Sequence, residues 1–201
     1  QVLRERIFTR LDMQHSGFLH QNLPPGAEIA RIYGPPSPGQ RPLGNIEDDG
    51  ISWRITIAER EKLLTNYKFY SGGGGLWSSA ADYLKYLSMI ASHGRMDEQQ
   101  ILGKAYVDQQ KTNLVPGLEL SAFRRNFGEA ARLMTFGGGL GIKNQSEAAK
   151  EVDYFFWGGA ANTAFWFDPI DESVGVFLTS HYPGQYNFTD ELEDIVDGAR
   201  F

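Results

Sequence analysis

An α+β fold built on an antiparallel sheet is predicted by three features of this chain. Four strand-like segments, near residues 135–142, 152–157, 163–168 and 173–180, follow one another with only short connections between them. Clear helical periodicity lies elsewhere, chiefly within residues 1–112, and a last helix closes the chain. No internal repeat and no convincing linker interrupts the 201 residues. The expected organisation is one piece: a mostly helical and loop part, 1–112, then a sheet with a closing helix, 113–201.

The first segment, Gln1 to Leu11, places Leu3, Ile7, Phe8 and Leu11 at helical spacing, with Arg4, Glu5, Arg6 and Arg10 opposite. No Ser, Thr, Asp or Asn precedes it to cap the first turn. A helix that opens uncapped is expected to start upstream, which would make residue 1 an artificial or processing boundary. After Gly17 the chain turns loop-like, with Pro24, Pro25, Gly26, Pro35, Pro36, Pro38, Gly39 and Pro42. Between these, Glu28 to Tyr33 alternates as a short strand does, whereas residues 43–60 show no decisive period.

Gly72 to Gly75 then lead into the best helix of the chain, Ser79 to His93. Ser79 is a natural N-cap with Asp82 three residues on, Tyr83, Leu84, Leu87, Ile90 and Ala91 form one apolar face, and Gly94 is the stop. A second helix covers Lys104 to Lys111. Thr135 to Ile142 reads as a glycine-rich strand, followed by Val152 to Trp157, Thr163 to Asp168 and Ser173 to Ser180. Pro169-Ile170-Asp171-Glu172 is the turn joining the last two. Thr189 caps the final helix, whose first turn carries Asp190 and Glu191 against the helix dipole.

Composition excludes several functions. An apolar share of 41%, with 22% charged residues, is that of an ordinary globular chain. The net charge of −6 argues against nucleic-acid partners. Arg4, Arg6 and Arg10 at one end, and Asp190, Glu191, Glu193, Asp194 and Asp197 at the other, read as solvated helix faces. The absence of cysteine removes disulfides and thiolate chemistry. No run reaches the roughly 18 apolar residues of a membrane span. His15, His20, His93 and His181 lack metal-ligand spacing, so no metal and no cofactor is expected; His93 is placed to interact with a helix C-terminus.

The glycine runs Gly72–Gly75 and Gly137-Gly138-Gly139-Leu140-Gly141 invite a nucleotide-loop reading, but no Gly-Lys-Ser/Thr follows the first and no apolar helix follows the second. In the second, small residues would let another segment or a ligand lie close. Asp48-Asp49 and the pair Asp168/Asp171 sit in turn contexts and make no acid–base pair. Ser71, Ser78, Ser146 and Ser180 each lack a lysine three residues on and a Gly-x-Ser-x-Gly setting; Lys150, four residues after Ser146, fits a helix surface pair. No nucleophile is nominated.

The most informative stretch is Phe155-Phe156-Trp157-Gly158-Gly159-Ala160-Ala161-Asn162-Thr163-Ala164-Phe165-Trp166-Phe167-Asp168-Pro169. A strand ends in two glycines and an aromatic strand follows at once. Without a Cβ at 158 and 159, a reacting group could approach the backbone N–H groups, which suits an oxyanion-binding strand edge. A core tryptophan beside a β-bulge is the competing reading.

Three segments together resemble the C-terminal half of the serine β-lactamase-related family, which includes class C β-lactamases, penicillin-binding-protein-like D-peptidases and related esterases. Val2-Leu3-Arg4-Glu5-Arg6-Ile7-Phe8 through Met13 and Gly17-Phe18 is similar to the family's "LRERIFEPLGM…TGF". Gly72 to Tyr83 is similar to its "GGGGLxSTAxDY". Trp157-Gly158-Gly159, with Phe165 to Pro169 and Gly175-Val176-Phe177, resembles the third active-site motif and its sequel.

The resemblance implies part of the β-lactamase/penicillin-binding-protein-like fold with its N-terminal part missing, and an acyl-enzyme mechanism. Trp157, Gly158 and Gly159 would take the three positions of the Lys/His-Thr/Ser-Gly strand, and the Ala160 N–H would be one oxyanion donor. The family's Ser-x-x-Lys and Tyr-x-Asn lie upstream of the "LRERIF" helix. No Ser-x-x-Lys occurs in these 201 residues, so the chain alone is expected to be inactive and to expose surface that the rest of its domain, or a partner chain, would cover. Lys-Thr-Gly offers a cation and a hydroxyl to a carboxylate, and Trp-Gly-Gly offers neither. A small neutral ester or amide is therefore the implied substrate. The alternative is a non-catalytic binding or scaffold protein, or a complementing subunit, reusing the fold.

Overall fold

Helix winding decides which residues of the first segment are buried. Arg4–Phe8 forms a π-type turn, entered from Leu3 with no side-chain cap bond. Thr9 N–H donates to Arg4 O (2.9 Å) and Met13 N–H to Phe8 O (2.8 Å), the wider i→i+5 spacing. The apolar stripe is rotated accordingly: Ile7, Phe8, Leu11 and Met13 are buried, while Leu3, expected on the same face, is 42% exposed. Gly17 and Trp77 exchange backbone hydrogen bonds in both directions (2.9 and 2.8 Å). Strand β1, Tyr33–Gly34, pairs antiparallel with β2, Trp53–Arg54. Tyr33, the last residue of the strand expected at 28–33, falls in β1; residues 28, 29, 31 and 32 lie outside the described residues.

The computed structural model describes residues 1–18, 26, 30, 33–34, 53–54, 76–116, 128–146, 151–159, 161–180, 191 and 195. The chain divides into two compact units. One comprises Gln1–Tyr83, Gly159–Thr163 and Leu178–Gln185; the other comprises Leu84–Gly158, Ala164–Phe177 and Tyr186–Phe201. The glycine run 72–75 and the proline-rich loop lie outside the described residues.

Helix α1, Ala80–Ala91, begins as its sequence predicts: the Ser79 hydroxyl accepts the Asp82 N–H at 3.1 Å. Leu87, Met89 and Ile90 are its fully buried residues, and Leu84 is 37% exposed. The stop at Gly94 is a six-to-one closure, Gly94 N–H to Met89 O (2.8 Å), in which His93 adopts the left-handed conformation (φ 54°) and Gly94 follows at φ 84°. A short hairpin not anticipated from sequence comes next, β3 (Arg95–Met96) with β4 (Gln99–Gln100), turning at Asp97 (φ 51°). Helix α2, Lys104–Gln110, starts where expected and ends one residue early, with Lys111 as its C-cap.

Five strands form the sheet in the order β5-β6-β7-β8-β9, all antiparallel: Met134–Phe136, Gly141–Asn144, Val152–Gly158, Ala164–Asp168 and Ser173–Phe177. A 3-10 helix, Gly128–Leu133, leads into it. The α+β class and three of the four expected strands stand. The expected single strand 135–142 is instead two strands, because the chain reverses over Gly137–Leu140, where Gly139 takes φ 110°. Gly137 N–H donates to Leu140 O at 2.8 Å within that turn.

Side chains of β7 are buried on both faces. Tyr154 and Phe156 pack with Met134 and Trp166 on one face. On the other, Phe155 stacks on Phe167 with centroids 4.7 Å apart, and Lys111 Nζ sits 5.1 Å from the Phe167 ring centre. Lys111 also donates to Ala91 O at 3.2 Å, so the lysine seals the C-terminal end of α1 over the aromatic pair. Partial burial pulls its pKa down, opposed by the Asp108 charge. Trp166 lies directly over Gly175, where a Cβ would overlap its ring. Of the expected closing helix, Glu191 and Ile195 are helical; Thr189 and Asp190 lie outside the described residues.

Candidate active site

The end of β7 is set by the hairpin that joins it to β8. Phe155↔Phe167, Phe156↔Trp166, Trp157↔Phe165 and Gly158↔Ala164 are opposite one another. Beyond them Gly159 N–H donates to Thr163 O (2.8 Å) and Asn162 N–H to Gly159 O (3.0 Å), with Asn162 left-handed at φ 59°. These are the marks of a three-residue hairpin loop closed by a G1-type bulge, with asparagine in the place glycine usually takes. A Cβ on Gly159 would strike the Thr163 hydroxyl, which explains the glycine.

Hydrogen-bonding direction alternates along an antiparallel strand. Since Gly159 turns its N–H towards Thr163, Gly158 turns its N–H and C=O the other way. On that side the pairing of β6 with β7 begins at Gly141, opposite Phe156, and so stops short of Gly158. Trp157, Gly158 and Gly159 are all exposed. The two glycines are thus not equivalent: Gly159's N–H is engaged within the hairpin, and Gly158 forms the outward-facing edge. Ala160, the expected oxyanion donor, lies outside the described residues.

Trp157 is 37% exposed, and its indole lies 5.2 Å from the Phe136 ring at 54°. It is a surface aromatic at the strand end, although the bulge of the competing reading is present two residues further on. Glycines set up this arrangement. A Cβ on Gly141, between β5 and β7, would come within 2.7 Å of the Phe156 ring. One on Gly137 would strike the Gln110 carbonyl, and Gly138 N–H donates to that same oxygen at 3.1 Å. The second glycine run therefore admits the end of α2.

A second polar group lies in the first unit. The Asp82 carboxylate is buried and accepts the His15 N–H at 2.7 Å and the Ser16 hydroxyl at 2.8 Å. Ser16 Oγ is also 2.8 Å from Ser78 Oγ. Sequence reasoning placed Asp82 only in a capping role and missed Ser16 entirely. His15 contributes its backbone, and among the described residues no lysine or imidazole side chain joins these hydroxyls, so the group reads as a structural tie between the first segment and the start of α1. Asp82→Ala is expected to cost about 3 kcal/mol, since it strips a charged acceptor from two donors. A urea titration against the parent chain measures it.

The remaining candidates hold local structure. Asp168 Oδ1 accepts the N–H groups of Ile170 (2.7 Å) and Asp171 (3.1 Å), stabilising the expected turn. His93 Nδ1 is 2.7 Å from Asp108 Oδ1, and Lys104 pairs with the other carboxylate oxygen. The hydrogen bonds from Lys104 and then His93 hold the Asp108 carboxyl below its ordinary range. Ser146 is exposed and Ser180 half-buried. His20, Asp48, Asp49, Ser71 and His181 lie outside the described residues. Among the described residues no group of three or more His, Asp or Glu could hold a metal ion, and no helix is long and apolar enough to cross a membrane.

The profile of the Beta-lactamase family matches residues 1–198. The chain belongs to the beta-lactamase family. Two Mycobacterium tuberculosis proteins, "Uncharacterized protein MT1414" and "Protein Rv1367c", are 28% identical to this beta-lactamase-family chain over 128 residues, which is 60% of the chain and 31% of each relative. Unliganded selenomethionyl simvastatin synthase (LovD) from Aspergillus terreus superposes with a TM-score of 0.69 at 18% identity, over 96% of this chain and 47% of that one. A penicillin binding protein from Bacillus halodurans gives 0.59 at 19%, over 96% and 48%. EstCE1, "a hydrolase with promiscuous acyltransferase activity", gives 0.58 at 20%, over 90% and 45%. The chain spans about a third of the curated relatives and under half of these structures, and the likeness to them is one of fold.

Proposed function

We propose that this chain is the C-terminal portion of a serine hydrolase that works through an acyl-enzyme, most simply an esterase. The exposed strand end at Trp157 and Gly158, with Gly158 turned away from β8, supports the reading. In the whole protein a serine encoded outside residues 1–201 attacks the ester carbonyl. The oxygen of that carbonyl gains negative charge, and the Ala160 N–H with the serine's own N–H would receive it. The bond to the alcohol then breaks, the alcohol leaves with a proton, and water releases the acid from the serine. Trp157 replaces a cation with an apolar surface beside Phe136, which favours a neutral ester or amide over a carboxylate-bearing β-lactam.

The second reading, a non-catalytic binding or complementing chain, is favoured by one fact: none of the serines here has a lysine three residues on. One experiment separates the two. The full-length protein is incubated with p-nitrophenyl acetate and with nitrocefin, and residues 1–201 alone are assayed in parallel. The hydrolase reading predicts ester turnover by the full-length protein only, well above its nitrocefin rate. An inert full-length protein supports the second reading, and serine-dependent turnover by residues 1–201 contradicts both.

A further inference from the structure

An aromatic wall stands at the end of the sheet where β7 stops. The strand register places Phe136 of β5, Gly141 of β6 and Phe156 of β7 side by side, one residue before Trp157. Gly141 has no side chain to separate the outer two, and the Phe156 ring occupies the space that a Cβ there would take. Phe136 packs against the buried cluster of Met134, Tyr154, Phe156 and Trp166, which holds its ring in place. The Trp157 indole leans on that ring, 5.2 Å between centres and tilted by 54°, within the favourable range for an aromatic pair. Leu114 is tied to the same strand end. Its N–H donates to Phe136 O at 3.0 Å, it is 49% exposed, and its Cδ1 lies 3.7 Å from where a Cβ on Gly138 would stand. Exposed apolar groups gathered at one place, unlike single scattered ones, mark a surface that binds something.

We infer that Trp157 and Phe136 determine specificity: together they receive a flat aromatic group of the ester, so that the preferred substrates are aryl-bearing esters and not small aliphatic ones. The role rests on the acyl-enzyme reading above and narrows its substrate class. The indole is already braced by a ring that the core holds, so little side-chain freedom is lost when a substrate ring settles on it. Aromatic pairing adds to the gain from buried area, and differences of apolar fit in such a site are worth roughly 10- to 200-fold in discrimination.

An ester carries an aryl group on its acid or on its alcohol, and the arms of the test separate the two. With the full-length protein, kcat/KM is measured by pH-stat titration on three esters. Trifluoroethyl acetate has no ring, trifluoroethyl 3-phenylpropionate has the ring on the acid, and phenyl acetate has it on the alcohol. Each variant's loss on a ringed ester is divided by its loss on trifluoroethyl acetate, so that intrinsic reactivity and general damage to the catalytic groups cancel. On at least one ringed ester, Trp157→Ala should lose about 10-fold more than on trifluoroethyl acetate. Phe136→Leu, which keeps apolar bulk and removes the ring, should lose about 3- to 10-fold more, and Trp157→Phe should retain most of the preference. An active parent protein whose Trp157→Ala variant loses equally on all three esters overturns the specificity role alone, as does a Trp157→Phe variant that falls as far as alanine. A parent protein that turns over none of the three overturns the hydrolase reading itself, and this role with it.

Discussion

Phe167→Ala should destabilise the chain by about 3–5 kcal/mol, the range for an aromatic ring removed from a packed core. Phe167 is 1% exposed, near the middle of β8 in the five-stranded sheet. Its ring stacks on Phe155 at 4.7 Å and 21°, and Lys111 Nζ lies over its face. Deletion removes the transfer energy of the ring, leaves a cavity that the paired β7 and β9 cannot collapse to fill, and strips a partly buried ammonium of an aromatic face. A urea titration should show a lowered midpoint with an unchanged slope. Ile170→Ala, at a position 58% exposed in the turn before β9, should stay within about 0.5 kcal/mol and serves as the control.

Much of the fold was legible because local chemistry and tertiary structure agree. Ser79 announced the start of α1, and Asp168 announced the turn before β9, each through a side chain that satisfies backbone groups within three residues. The hairpin at Arg95–Gln100 was not legible, since Arg-Met-Asp-Glu-Gln-Gln contains no β-branched or aromatic residue, and Asp97 supplies the left-handed turn that glycine normally signals. Gly137–Leu140 reads in sequence as strand interior, whereas Gly141 does belong to a strand. The run turns the chain between two strands and admits the Gln110 carbonyl, and both needs select glycine without distinguishing themselves in sequence. The tie from Ser16 to Asp82 joins residues 66 positions apart, a distance no periodicity reports.

The candidate site was legible in its residue types but not in its phase. Two adjacent glycines at a strand end suggested two available amides. Which of them faces outward depends on the length of the hairpin loop, and that follows from Asn162 adopting the left-handed conformation and Gly159 pairing with Thr163. The hydrogen bonds from Thr179 Oγ1 to Ala161 O and Asn162 O were invisible for a related reason: carbonyl groups carry no sequence identity.

The second large effect is expected at Ala160. Proline has no backbone N–H, so Ala160→Pro deletes the one donor that the family resemblance assigns to position 160. If that N–H receives the developing charge of an acyl intermediate, its loss should cost about 100- to 1,000-fold in kcat, as for removal of a single oxyanion donor elsewhere. The most direct measurement is the kcat of the full-length Ala160→Pro protein on p-nitrophenyl acetate, with its melting temperature taken alongside. A fall of that size at an unchanged melting temperature is the predicted result, and turnover equal to the parent's in a folded variant would contradict the assignment of this strand end to catalysis.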